Sequence, residues 1–251
     1  METELTKFAF FGDSHRPFHH KKAWELFIST MNDFKPDVLV CLGDHIDAYT
    51  ISTFGKDPSR EMTFDREVDD ACVGLDELDA IGASRKIFIA GNHEDRLTRY
   101  LQQKAPELFK FVDIPKLFNL EERNWEYVAY KAHIKVGKLY MTHDVGSAGR
   151  YSLFRAADTF QHPIVVAHTH RFGGIVEGNA TGDHFPAWQF GWLGDVEKVD
   201  YMHKIKAKRE WALGFGIGFQ NPESGVIHLQ GVPIVNKKGL TCVVSGKEYR
   251  V

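Results

Sequence analysis

Short runs of consecutive apolar residues recur along the chain, and each stops at a polar, loop-forming pair. Lys7–Phe11 (KFAFF) runs into Gly12-Asp13, Asp37–Leu42 (DVLVCL) into Gly43-Asp44, and Arg85–Ala90 (RKIFIA) into Gly91-Asn92. Apolar runs of this length bounded by turn signals read as strands buried on both faces. Between them the apolar period becomes helical. Trp24, Phe27, Ile28 and Met31 recur within Ala23–Phe34; Val68, Cys72, Leu75 and Leu78 recur in a stretch that Thr63 can cap and that runs to Ala80. Further helices are expected after Glu94, to about Ala105, and over Arg150–Phe160. Trp125–Thr142 alternates around Gly137 and predicts a hairpin whose last strand ends at His143. Pro163–Ala167 is another buried run, ending in His168-Thr169-His170, and Glu210–Gln220 and Val226–Val235 are expected strands. The order β-α-β-α-β-α followed mostly by strands predicts an α/β fold with layers around central sheets.

The 251 residues suffice for one domain with a substantial core, and 43% apolar with 26% charged residues is the composition of a globular chain. A net charge of −3 gives no whole-chain basic footprint for nucleic acid, leaving only local patches. Cys41, Cys72 and Cys242 are odd in number and far apart, so neither a disulfide framework nor a thiolate zinc site is indicated. The N-terminus is acidic where a signal peptide needs positive charge, and no apolar run approaches the ~20 residues of a membrane span. A cytoplasmic chain without membrane attachment is the expectation.

The 13 histidines change the picture. Five expected strands end in metal- or phosphate-binding side chains: Asp13 and His15, Asp44, Asn92 and His93, His143, and His168 and His170. Ligand sites in α/β sheets collect at the carboxyl ends of strands. Carboxylate, imidazole and amide donors without thiolates suit Mn, Fe, Zn or Ni. Seven candidates (Asp13, His15, Asp44, Asn92, His143, His168 and His170) are too many for one tetrahedral ion and suit two ions bridged by a carboxylate. Any one of these histidines alone reads as a satisfied core residue. Eight polar groups left unpartnered at buried strand ends would cost ~1–3 kcal/mol each, and that favours a shared site.

The ordered set Gly12-Asp13-Ser14-His15, Gly43-Asp44-His45-Ile46-Asp47, Gly91-Asn92-His93-Glu94, His143 and Ala167-His168-Thr169-His170 resembles the calcineurin-like metallophosphoesterase superfamily, across residues 12–170. The resemblance implies a four-layer αββα sandwich with two central mixed sheets. It also implies a single domain over 1–251, in which 171–251 completes the second sheet and shapes the substrate side. One metal is then assigned to Asp13, His15, Asp44 and His170, and the second to Asp44, Asn92, His143 and His168. His93 becomes the general acid on the leaving oxygen, and Asp47 the carboxylate that orients it. The implied reaction is hydrolysis of a phosphate ester by a metal-bound hydroxide. A divalent ion lowers the pKa of bound water towards about 7, and a pair clamps the attacking and leaving oxygens.

Two departures matter. Ala167 replaces a glycine, which strains the chain only if φ is positive there. Ala48 stands where the protein-serine/threonine phosphatases carry an arginine, and this weakens a protein-phosphatase reading. Arg96, Arg171 or Arg16 can replace that guanidinium. Asn92, His45, Arg96 and Arg171 are the candidate substrate contacts. His19 and His20 read as a solvated loop, the acidic residues of the 63–80 helix as a solvated face, and Lys204, Lys206, Lys208 and Arg209 as a guarded strand edge or a phosphate contact. His184–Trp192 (HFPAWQFGW) reads as core packing or a stacking platform. The expected partner is a phosphate-ester substrate, with nucleotide or nucleic-acid diesters slightly favoured over monoesters, and two divalent ions, Mn first. No obligate protein partner is expected. The competing expectation is a non-catalytic interaction scaffold on the same fold.

Overall fold

The computed structural model describes residues 3–199 and 202–251. The chain order is β1 (Thr6–Phe11), α1 (Lys21–Phe34), β2 (Val38–Cys41), α2 (Phe64–Asp79), β3 (Arg85–Ile89), α3 (Asp95–Lys104), α4 (Ile114–Leu117), β4 (Trp125–Val128), β5 (Ile134–Val136), β6 (Leu139–Met141), α5 (Ser152–Phe160), β7 (Ile164–Val166), β8 (Phe172–Gly178), β9 (His184–Phe190), α6 (Lys204–Glu210), β10 (Gly214–Gln220), β11 (Ile227–Pro233), β12 (Val235–Asn236), β13 (Leu240–Val244) and β14 (Lys247–Arg250). Six strands form one mixed sheet in the order β11-β10-β1-β2-β3-β4, and five form a second, β5-β6-β7-β9-β8. β1 to β4 run parallel, as do β6, β7 and β9.

The apolar runs are buried on both faces, as their lack of alternation predicts. Along β1, Phe8 and Phe10 pack between the sheets with Val136, Leu139, Met141 and Phe190, whereas Ala9 and Phe11 pack on the other side with Trp24, Phe27, Leu75 and Leu97. Along β7, Val165 faces the other sheet while Ile164 and Val166 pack on Leu153, Ala156 and Ala157 of α5. The layers are therefore helices, six-stranded sheet, five-stranded sheet, helix: a four-layer αββα sandwich.

Several expectations are corrected. Residues 125–142 do not form one hairpin: β4 joins the first sheet beside β3, and only β5–β6 turn at Gly137, in the second. The stretch after residue 170 divides. β8 and β9 enter the second sheet, β10 and β11 pair onto β1 in the first, and β12 to β14 make a third sheet that supplies Leu240, Cys242 and Val244 to the α1 side of the core. HFPAWQF is a strand with Phe185, Ala187, Gln189 and Phe190 buried. The basic cluster lies on the helix α6 rather than a strand edge. The acidic face of α2 is only partly solvated. Glu67 is buried and accepts from the Tyr49 and Thr50 amides, and Asp79 receives Lys86, Arg123 and the Trp125 indole. His19 is buried, and His20 caps α1 by accepting from the Ala23 amide at 3.3 Å. Among the described residues no helix is long and apolar enough to cross a membrane.

Candidate metal centre

Parallel neighbours β1, β2 and β3 end side by side, so their following loops meet. Backbone bonds zip the first two loops together: the Asp13 amide donates to Gly43 O (2.8 Å), His15 to Asp44 O (2.9 Å), Arg16 to His45 O (2.8 Å) and Asp47 to Arg16 O (2.8 Å). The ends of β6 and β7 approach from the second sheet, joined where the Ala167 amide donates to His143 O (2.9 Å). Gly43 and Gly91 permit this crowding. Gly43 has φ +101°, and a Cβ on Gly91 would sit 2.1 Å from Asp44 Oδ1.

Five of the expected ligands have left-handed backbone: Asp13 (φ 51°), His15 (50°), Asp44 (51°), His168 (69°) and His170 (57°). Non-glycine residues in this region cost of order 1–3 kcal/mol each and persist only where the surroundings over-determine them. Ala167 is not among the positive-φ residues, so its methyl adds no backbone strain.

The side chains converge. Donor atoms of Asp13, His15 and His170 lie within 4.8 Å of one another, as do those of His15, Asp44 and His93, and those of Asp44, His143 and His168. His15 and Asp44 each belong to two groups, so the three groups form one chain of donors. His15 Nε2 and His170 Nε2 stand 3.0 Å apart. Two ligands ~2.1 Å from one ion at a right angle would be about 3.0 Å apart. Asn92 Oδ1 is 3.2 Å from His143 Nε2. Asp13 Oδ1 and His170 Nδ1 are buried without a hydrogen bond. His143 Nδ1 donates to Leu42 O at 2.7 Å, which turns Nε2 toward Asp44 and Asn92 in the way a ligating histidine is oriented. The residues present thus fit a pair of borderline divalent ions in donor chemistry and in spacing.

The charges follow from burial and proximity. Burial opposes the charge of Asp44, but the His143 imidazole outweighs it and holds the carboxyl well below the usual range. His170 does the same for Asp13 against its burial. For His143 burial acts downward, and Asp44 overrides it, raising the ring to about 10. Burial wins at His93, whose ring is pushed down to about 3 despite Asp44 and Asp47.

The hydrogen bonds around His93 agree. Nδ1 donates to the Asp47 carbonyl (2.8 Å), and Arg96 Nη2 donates to Nε2 (3.0 Å), so the ring is neutral. The Asp47 carbonyl takes the His93 hydrogen bond, and the Asp47 carboxylate lies 3.6 Å from the same nitrogen, 3.2 Å from Arg96 Nη1 and 3.4 Å from His15 Nδ1.

An open cleft of about 250 Å³ is lined by Asp44, Asn92, His93, His168 and His170, together with Arg96 and Arg171. Arg171 reaches the Glu210 carboxylate and the Ala148 carbonyl. His45 is not brought to this cleft. It is fully buried, bonded to Ser14 Oγ and Ala71 O, and ringed by Phe11, Trp24, Phe88 and Phe118. Arg16 also points away, over Trp24 and onto Asp70 and Glu77.

Sequence reasoning gave Glu94 a place in the motif but no role. Its buried carboxylate accepts from the Gly91, Asp44, His45 and Ile46 amides at 2.7–3.2 Å and so pins the β2 loop to the β3 loop. Burial and then Asp44 raise it to about 7. Its place directly after His93 was the only signal. Trp211 and Lys206 also line the cleft, and Trp192 stacks on His170 at 4.6 Å.

This fold and this convergence of strand-end donors define a metallophosphoesterase-type α/β protein. The sequence profile described as calcineurin-like phosphoesterase matches residues 6–206, and the chain belongs to that family. It is similar to the gene 54 protein of Mycobacterium phage D29, at 24% identity over 218 residues, 82% of this chain and 86% of that one. Among solved structures it resembles Chaetomium thermophilum Vps29, with a TM-score of 0.48 and 12% identity over 97% of this chain and 98% of that one. It also resembles a dimetal phosphatase from Danio rerio, with a TM-score of 0.41 and 10% identity over 86% and 93%.

Proposed function

We propose that the chain is a dinuclear metal-dependent phosphoesterase. Asp13, His15, Asp44 and His170 hold one ion; Asp44, Asn92, His143 and His168 hold the other. Mn is the first choice, with Fe, Zn or Ni as alternatives. The observation that supports this most is the unbroken chain of donor triads running through His15 and Asp44. When bound, the ions supply positive charge against the phosphoryl oxygens and a nucleophile active at neutral pH. The protein residues bind and orient the substrate. Arg96 meets a phosphoryl oxygen and in doing so releases His93 Nε2. The negative charge of the phosphate raises the affinity of the His93 ring for a proton, which Nε2 takes from solvent and donates to the leaving oxygen. Arg171 and Lys206 hold the substrate side, and Trp211 offers an aromatic face there.

Phosphodiesters are favoured over monoesters. No arginine follows Asp47, and the cleft wall from α6 onward is basic and aromatic. The 251 residues act as one domain, a reading supported by the pairing of the C-terminal β10 with the N-terminal β1. The three cysteines are free, which favours a reducing, cytoplasmic setting.

The test is turnover of bis-p-nitrophenyl phosphate and p-nitrophenyl phosphate by Mn-loaded protein. The diester should be turned over faster, and Asp44→Asn should lower the rate on the order of 10³-fold or more. The reverse preference makes the chain a monoesterase. No turnover with Mn, Ni, Co, Fe or Zn makes it a scaffold.

A further inference from the structure

A second cavity, of about 680 Å³, leads away from the cleft and shares Phe54, Asn92, Arg96 and His168 with it. One wall is a single face of α3, where Arg96, Arg99, Tyr100 and Lys104 recur at helical spacing. Lys131 also lines the cavity. Asp95 is the only acid among the described residues of the lining, and Arg99 neutralises it at 3.0 Å. Arg99, Tyr100, Lys104 and Lys131 are exposed. The eight helical steps from Arg96 to Lys104 span ~12 Å. A single strand carries one phosphate per ~3.4 Å of stacked rise, so this length meets several phosphates.

We infer that this groove holds a single-stranded nucleic acid, with one phosphate at the cleft and the flanking backbone running along α3. The inference rests on the phosphoesterase reading and names its substrate class. A row of cations leading outward from the centre matches a polyanion with phosphates on both sides of the scissile one. A phosphopeptide presents one phosphate and leaves Lys104 and Lys131 unmatched. Tyr100 is 41% and Phe54 64% exposed, and each presents a ring to the groove. Such rings stack on bases, whose faces a single strand exposes and a duplex hides.

Binding is read by fluorescence anisotropy of a labelled phosphorothioate decathymidylate on Mn-loaded protein, across 50–200 mM salt. Phosphorothioate linkages resist hydrolysis and keep the backbone charge. With Arg96, Lys104 and Lys131 each meeting a phosphate, log affinity should fall with log salt at a slope of about −2. Lys104→Gln with Lys131→Gln should weaken binding on the order of tenfold and flatten that slope by about 1.4. Tyr100→Ala should weaken binding with the slope kept. A blunt duplex that binds as well as the single strand, or a phosphoserine peptide that competes as well, overturns the inference. So does a double variant that binds like the wild type. Protein that turns over bis-p-nitrophenyl phosphate yet fails to bind the oligonucleotide overturns the groove alone. Protein that does neither overturns the phosphoesterase reading with it.

Discussion

The metal-type centre and the groove along α3 are adjacent and built on opposite terms. In the centre Asp13, His15, Asp44, His93 and His170 are almost wholly buried, and their loops are tied by backbone bonds and by Glu94. In the groove Arg99, Tyr100, Lys104 and Lys131 stand exposed on a helix surface and a turn. The contrast assigns rigidity to the chemistry and adaptability to selection. Strain at five left-handed ligands is tolerable only where packing over-determines the backbone. A groove for a flexible polymer needs charge and ring faces more than fixed geometry.

The largest expected effect breaks the rigid side. Glu94→Gln leaves one acceptor oxygen where four amides converge, so buried donors lose partners. The urea midpoint should fall by an amount corresponding to about 3 kcal/mol, whereas Lys104→Gln should change stability by less than about 0.5 kcal/mol. Equal losses would erase the distinction between the two regions.

His93→Asn should reduce turnover of an alkyl phosphodiester about 100-fold, should affect bis-p-nitrophenyl phosphate much less, and should leave metal content intact. Equal losses on both esters would remove His93 from the proton-donor role.

A smaller effect separates the regions by protons. His143, raised to about 10, carries a proton at pH 7.5 that metal binding must displace. Calorimetric titration with Mn in buffers of different ionisation enthalpy should therefore show proton release. His143→Gln should release about one proton fewer, and an unchanged count contradicts the assignment.

The smallest effect concerns the buried rim. His19 is pushed down to about 3 by burial and then by Arg16, against about 6.5 in the unfolded chain. Below pH 6.5 the unfolded chain takes up a proton that the folded chain refuses. Stability present above that pH is therefore lost as pH falls toward 3. His19→Gln should flatten the acid limb of a urea-midpoint profile, and an unaltered limb refutes the burial argument.

The same contrast explains what the sequence made legible. The strand-end donors could be read because an unbroken apolar run that stops at a polar pair fixes where a side chain emerges. Asp13, Asp44, Asn92 and His168 emerge there. His45 misled because a histidine between two site aspartates gives no sign of which way it turns, and the aromatic residues around it come from four distant segments. Glu94 acts on backbone amides and the Asp47 carbonyl is itself backbone, and side-chain identity encodes neither bond. Arg99, Tyr100 and Lys104 carry no motif, and only the fold brings the 50–54 loop and Lys131 into one cavity with them. β4 defied the hairpin because its alternation was compatible with either sheet, and tertiary pairing with β3 decided.

The central claim is a cation pair shared through Asp44. Anomalous diffraction from crystals soaked in saturating Mn should show two peaks flanking that carboxylate in the wild type and at least one lost in Asp44→Asn. A single peak or none in the wild type, or two peaks persisting in the variant, would contradict it.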